Sequence, residues 1–153
     1  MTRTEWQRVG IIRQQGAAWA DFGQYWLFGT CMYKNGAEID DWRLIRDAKL
    51  FFNALDRCVL ERRFTRNGVR LERQVFAEFG KQLVNGHLHF FIKGRQLQHR
   101  DQIVVAAERI WLEKIRGARN CVVLDNTQAN RAGYGWKEFD KLDVKTLLVE
   151  CCN

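Results

Sequence analysis

The sequence predicts a single α+β domain in which an antiparallel sheet carries helices. Two observations support this. Segments with strand-like alternation are interspersed with segments bearing helical apolar stripes, and the strands in the middle of the chain are joined as hairpins, without crossover helices. At 153 residues the chain is long enough to bury one sizeable core without staples.

In chain order, residues 4–18 read as a weakly periodic helix. Residues 25–33 (YWLFGTCMY) are aromatic and apolar enough for a buried strand. Asp40 or Asp41 can cap a helix running to about Leu60, with Leu44, Ala48, Phe51, Phe52, Leu55 and Val59 as its apolar stripe. Residues 63–79 carry Asn67-Gly68 between two alternating segments and read as a hairpin. Its second strand, 73–79, leads through a loop containing Asn85-Gly86 into the strand GHLHFFI at 86–92. Residues 100–116 form a second amphipathic helix, stopped at Gly117. A short strand at 120–124 and a third helical segment at 128–141 follow. Residues 144–151 read as a last strand or a frayed tail.

Composition narrows the function classes. Apolar content is an ordinary 46%, and no apolar run approaches the roughly 18 residues that span a bilayer, so no membrane partner is expected. The start, MTRTEW, lacks the apolar stretch of a secretory leader. Five cysteines, an odd number without a Cys-x-x-Cys pair, favour reduced thiols inside a cell over a disulfide framework or zinc ribbon. The formal charge of +7 favours a polyanionic partner. With no proline in the chain, turning falls to Gly and Asn.

Two of the three histidines, His87 and His89, flank Leu88 in the 86–92 strand. Alternate strand residues share a face, so both imidazoles project from one side while Leu88, Phe90 and Ile92 pack behind. Glu78 lies nine residues before His87. If the strands pair around a loop centred near Gln82-Leu83, Glu78 becomes the cross-strand neighbour of His87, with Val75, Ala77 and Phe79 on the core side. The Asn85-Gly86 turn suggests a different register. A His-His-Glu set with open positions suits Mg²⁺ or Mn²⁺ bridging a phosphate, or zinc. The pair alone also fits two surface histidines beside a solvated glutamate.

The segment NRAGYGWKEFD contains Tyr134 and Lys137. On a helix, Tyr134, Lys137, Glu138 and Lys141 share a face. A phenol is a poor nucleophile at its ordinary pKa near 10. A neighbouring ammonium stabilises the phenolate or protonates a leaving oxygen, and a metal polarises the phosphorus under attack. Tyr-x-x-Lys by itself equally describes an amphipathic tyrosine on a solvated helix.

Three signatures in order make the chain resemble the HUH endonucleases, specifically the single-tyrosine initiators of rolling-circle replication. They are the strand Leu27-Phe28-Gly29-Thr30-Cys31, whose Gly29 and Cys31 are atypical, the His87-Leu88-His89 strand with Glu78 upstream, and the Tyr134-Gly-Trp-Lys137 helix. The likeness covers about 24–141 of one domain spanning 1–153, with 1–23 as a helical extension. It implies a five-stranded antiparallel sheet related to the ferredoxin and RNA-recognition folds. It implies Mn²⁺ or Mg²⁺ held by Glu78, His87 and His89 against a scissile phosphate of single-stranded DNA at a hairpin origin. Tyr134 would attack that phosphate, leaving a 5′-phosphotyrosine and a free 3′-hydroxyl, with Lys137 orienting the tyrosine. Arg66, Lys93, Arg95 and Arg131 would contact phosphates, and Phe91 or Trp136 would stack a base. The implied partners include the host helicase and polymerase, for a monomer or weak oligomer in the cytoplasm, or in the host nucleus for a eukaryotic virus. Alternatives are a single-strand transposase of the same superfamily, which usually has Gln where Glu138 stands, a non-catalytic RNA-recognition-like module, and a zinc-dependent hydrolase.

Overall fold

The computed structural model describes residues 25–79, 85–93, 97–125 and 147–152, together with helical positions 7, 11, 14, 15 and 18 near the N-terminus. The elements are β1 (Leu27–Tyr33), a 3₁₀ turn (Gly36–Glu38), α1 (Asp41–Leu60), α2 (Arg62–Asn67), β2 (Glu72–Glu78), β3 (His87–Lys93), α3 (Leu97–Lys114), β4 (Ala118–Asp125) and a second 3₁₀ turn (Val149–Cys151). The four strands form one antiparallel sheet in the order β2-β3-β1-β4. Among the described residues no helix is long and apolar enough to cross a membrane.

Helix α1 starts where its cap allows. The Asp40 carboxylate accepts the Arg43 amide at 2.8 Å, satisfying one of the orphan donors of the first turn. The expected stripe from Leu44 to Val59 is buried throughout, and with α3 it covers one face of the sheet. That face presents Leu27, Cys31, Val75, Ala77, Leu88, Phe90, Ile92 and Val123 to the helices. Trp111 of α3 is sunk in this core and donates its indole N–H to the Met32 carbonyl at 3.1 Å. The buried polar tie is Asp56 of α1 with Arg73 of β2, at 2.8 and 2.9 Å.

Gly29 belongs to the core side of β1, opposite Phe90. A Cβ there would fall within the Phe90 ring, so glycine is what lets that ring lie across the strand. Its neighbour Cys31 faces Cys121 of β4, both buried, with the sulfurs 2.8 Å apart.

Two expectations need revision. The hairpin expected at residues 63–79 is instead α2 followed by β2. Gly68 takes the left-handed conformation, φ 63°, and its N–H caps the helix on Phe64 O. Asn-Gly serves a helix end as readily as a strand turn, because both need positive φ. At the far end of the chain, the last-strand expectation reduces to one antiparallel bridge between Phe76 and Leu147, followed by the 3₁₀ turn. The described residues form a sheet of four strands. The expected helix at 128–141 lies outside the described residues.

Candidate metal centre

The face of the sheet turned away from α1 and α3 carries Phe28 and Thr30 of β1, Phe76 and Glu78 of β2, and His87, His89 and Phe91 of β3. Strand alternation places them there, and the register brings them together. Glu78 pairs with His87, Phe76 with His89, and Thr30 with His89. The direct Glu78–His87 pairing is the one that the loop around residues 82–83 implies, and the alternative suggested by Asn85-Gly86 is not adopted.

The ligand atoms of Glu78, His87 and His89 all lie within 4.8 Å of one another. His89 Nε2 is 2.7 Å from Glu78 Oε2, and His87 Nε2 is 3.4 Å from the same oxygen. Glu78 and His89 are buried and His87 is half-buried. The remaining ring nitrogens are anchored too. His87 Nδ1 lies 2.7 Å from the Asn85 carbonyl, which can only accept, so Nδ1 carries the proton and neutral His87 has its lone pair on Nε2. His89 Nδ1 lies 2.9 Å from Thr30 Oγ1, a hydroxyl that can give or take a proton. His89 also stacks on Phe28, with ring centroids 5.4 Å apart. Outer partners of this kind orient imidazole ligands and set their tautomer. One carboxylate oxygen and two imidazole nitrogens converging from rigid strands fit a divalent cation, and a three-ligand set leaves positions for a substrate oxygen.

Behind the site, Tyr25, Phe28, Phe76 and Phe91 form a small apolar cluster on the same face, with Leu147 packed against it. Phe91 is fully buried there. Its ring packs the site and has no free face for a base, which corrects the stacking role expected of it. Lys93 shares the face but stands at the opposite end of β3, roughly 20 Å from His87 at the ordinary strand rise, where it pairs with Glu72 at 3.4 Å. Arg66 lies on α2, which leads into that same distant end of β2. The structure therefore brings together Glu78, His87 and His89 and keeps Arg66 and Lys93 away from them. Arg95, Arg131, Tyr134, Trp136 and Lys137 lie outside the described residues.

Sequence reasoning assigned no role to Thr30 as a partner of His89 or to Asn85 as a partner of His87. The Asn85 contact is local and could have been inferred from its place two residues before His87. The Thr30 contact joins residues 59 apart in sequence and depends on strand order. No family model, no curated protein and no solved structure matches the chain.

Proposed function

We propose that the protein is a divalent-metal-dependent, HUH-type endonuclease that nicks single-stranded DNA, most simply a single-tyrosine initiator of rolling-circle replication. The observation that carries this reading is the Glu78-His87-His89 cluster, built from adjacent antiparallel strands on the face turned away from α1 and α3. The formal charge of +7 agrees with a polyanionic substrate. In this reading the fold is an HUH sheet with a fifth strand completing it, and the metal, Mn²⁺ or Mg²⁺, is held by Glu78, His87 and His89. When bound, the cation withdraws charge from the phosphate and so favours attack at phosphorus.

The chain's own residues do the rest. The Tyr134 oxygen forms a bond to phosphorus as the bond to the 3′-oxygen breaks, giving a 5′-phosphotyrosine and a 3′-hydroxyl that has taken up a proton. The proton leaving the Tyr134 hydroxyl is the one that ends on the 3′-oxygen, and Lys137 orients Tyr134 and neutralises the charge that develops during the transfer. Attack by a 3′-hydroxyl on the phosphotyrosine reverses the step, so strands rejoin without a nucleoside triphosphate.

The test is incubation of end-labelled single-stranded and hairpin DNA with Mn²⁺ and either the wild-type protein or Tyr134→Phe. The wild type is expected to cut and to leave a covalent DNA adduct, while Tyr134→Phe gives neither. Continued cutting by Tyr134→Phe would point to a hydrolase. No cutting of a hairpin library by the wild type would leave a binding module.

A further inference from the structure

At the end of the sheet where β1 runs out, a cleft of about 380 Å³ opens between the turn after β1, the start of α1 and the turn between α3 and β4. Its charged lining is Lys34, Arg43, Arg46 and Arg116 against Glu38. The walls are fixed by hydrogen bonds between distant segments. Arg43 Nη2 donates to Arg116 O at 2.7 Å, and the Lys34 amide donates to Gly117 O at 2.8 Å.

Behind the cleft, Asp47 is 2% exposed and holds both arginine heads. It accepts from Arg46 Nε and Nη2 at 3.0 and 2.8 Å, and lies 3.5 Å from Arg43 Nε. The Tyr33 hydroxyl donates to the same carboxylate at 3.1 Å. One carboxylate thus positions two guanidinium groups and neutralises no more than one of them. Lys34 and Arg116 are exposed at the rim, and among the described residues no carboxylate lies within ion-pair distance of either. Four cations face three carboxylates, Glu38 and Asp47 together with Asp40, which acts on Arg46 from the start of α1, so the recess keeps an excess of positive charge. Concave walls focus such a field, and guanidinium forks match the oxygens of a phosphate.

The cleft adjoins the metal cluster through the backbone. Gly86, which leads into His87, donates its N–H to Gly36 O at 2.8 Å, so the turn lining the cleft is tied to the loop entering the histidine strand. Met32, the β1 partner of His87, is followed directly by Tyr33 of the cleft wall.

We infer that this cleft is a phosphate-binding subsite that takes a backbone phosphate of a single nucleic-acid strand. The inference stands on the cleft alone and does not need Tyr134 to cut DNA. A free phosphate anion has the same chemistry, and the experiment separates the two sources. Lys34→Gln/Arg116→Gln removes two exposed charges without touching the Asp47 network. Lys49→Gln/Arg109→Gln, on the outer helix faces, is the charge-matched control.

Binding of a labelled single-stranded oligonucleotide is measured without divalent metal over a range of salt, and binding of inorganic phosphate is followed through amide shifts around Lys34 and Gly117. The Lys34/Arg116 variant is expected to bind the oligonucleotide roughly tenfold more weakly, with a salt slope shallower by about 1.4 if two contacts are lost. The control is expected to bind as the wild type does, and Lys34→Arg/Arg116→Lys to restore binding. Loss of phosphate binding with unchanged oligonucleotide affinity would keep the subsite and assign it to the free anion. Equal binding of both probes by variant, control and wild type would overturn the inference. Because no metal and no cleavage enter the assay, its failure is distinct from failure of the nuclease reading.

Discussion

At the residue scale, His87 and His89 are held by different means. The Asn85 carbonyl dictates the proton position on His87, whereas His89 sits between a hydroxyl and a carboxylate. A 2.7 Å contact between His89 Nε2 and Glu78 Oε2 requires a proton between them. A cation on Nε2 displaces that proton, and neutral His89 then donates Nδ1–H to Thr30. Metal affinity is therefore expected to fall as pH falls, because protons compete for the same atoms, and the calorimetric heat of Mn²⁺ binding should vary with buffer ionisation enthalpy. Thr30→Val removes the outer partner at nearly constant volume and should weaken Mn²⁺ binding roughly tenfold by titration calorimetry. An unchanged affinity would show that the Thr30 hydroxyl does not orient the ligand. His89→Ala should abolish binding.

At the element scale, the junction between α1 and α2 turns on Glu61, the one non-glycine residue with positive φ among those described, at φ 47° and ψ −116°. No side-chain cap supports α2 at that point. A side chain held there costs about 1–3 kcal/mol, and glycine removes the steric part while adding some entropy to the unfolded chain. Glu61→Gly is expected to stabilise the protein by about 1 kcal/mol, a rise of roughly 2–4 °C in Tm by calorimetry. A lower Tm would mean that the Glu61 side chain contributes more than its backbone costs. Gly68, which stops α2 at φ 63°, has open space around its missing Cβ, so its requirement is conformational. Gly29 is the opposite case, where the Phe90 ring occupies the space and the backbone is ordinary strand.

At the scale of the whole molecule, Asp56 joins three parts. Its carboxylate holds Arg73 of β2 and accepts the Leu71 amide at 3.1 Å, while Arg73 Nε donates to the Cys151 carbonyl at 2.9 Å. The guanidinium also lies over the Phe52 ring, 4.7 Å from its centroid. Burial pushes the Arg73 guanidinium down from its ordinary value, and the Asp56 charge opposes that shift. Asp56→Ala leaves a buried cation without its counterion, so a loss of about 3–5 kcal/mol is expected by urea denaturation. A loss below 1 kcal/mol would show that Arg73 reaches water once its partner is gone. The same change should leave Mn²⁺ binding nearly intact at low temperature, because Asp56 contacts the core side of β2 and Glu78 lies on the other face.

Much of this molecule was readable from local pattern. Helical spacing located α1 and its buried stripe, and the Asp40-Asp41 pair marked its start. Strand alternation assigned His87 and His89 to one face and Leu88 and Phe90 to the other, and the nine-residue interval from Glu78 offered the observed register beside the one that Asn85-Gly86 suggested. Periodicity and the assignment of faces depend on backbone geometry and neighbouring residues, so sequence alone determined them, whereas the choice between two registers fell to the tertiary structure. Only the tertiary structure decided that Asn67-Gly68 ends a helix, that Phe91 is packing, that Thr30 reaches His89, and that Lys34 and Arg43 share a cleft with Arg116. Each of these depends on which strand lies beside which and how elements pack across long loops. That outcome is set by the burial of the whole core, and no short stretch of sequence encodes it.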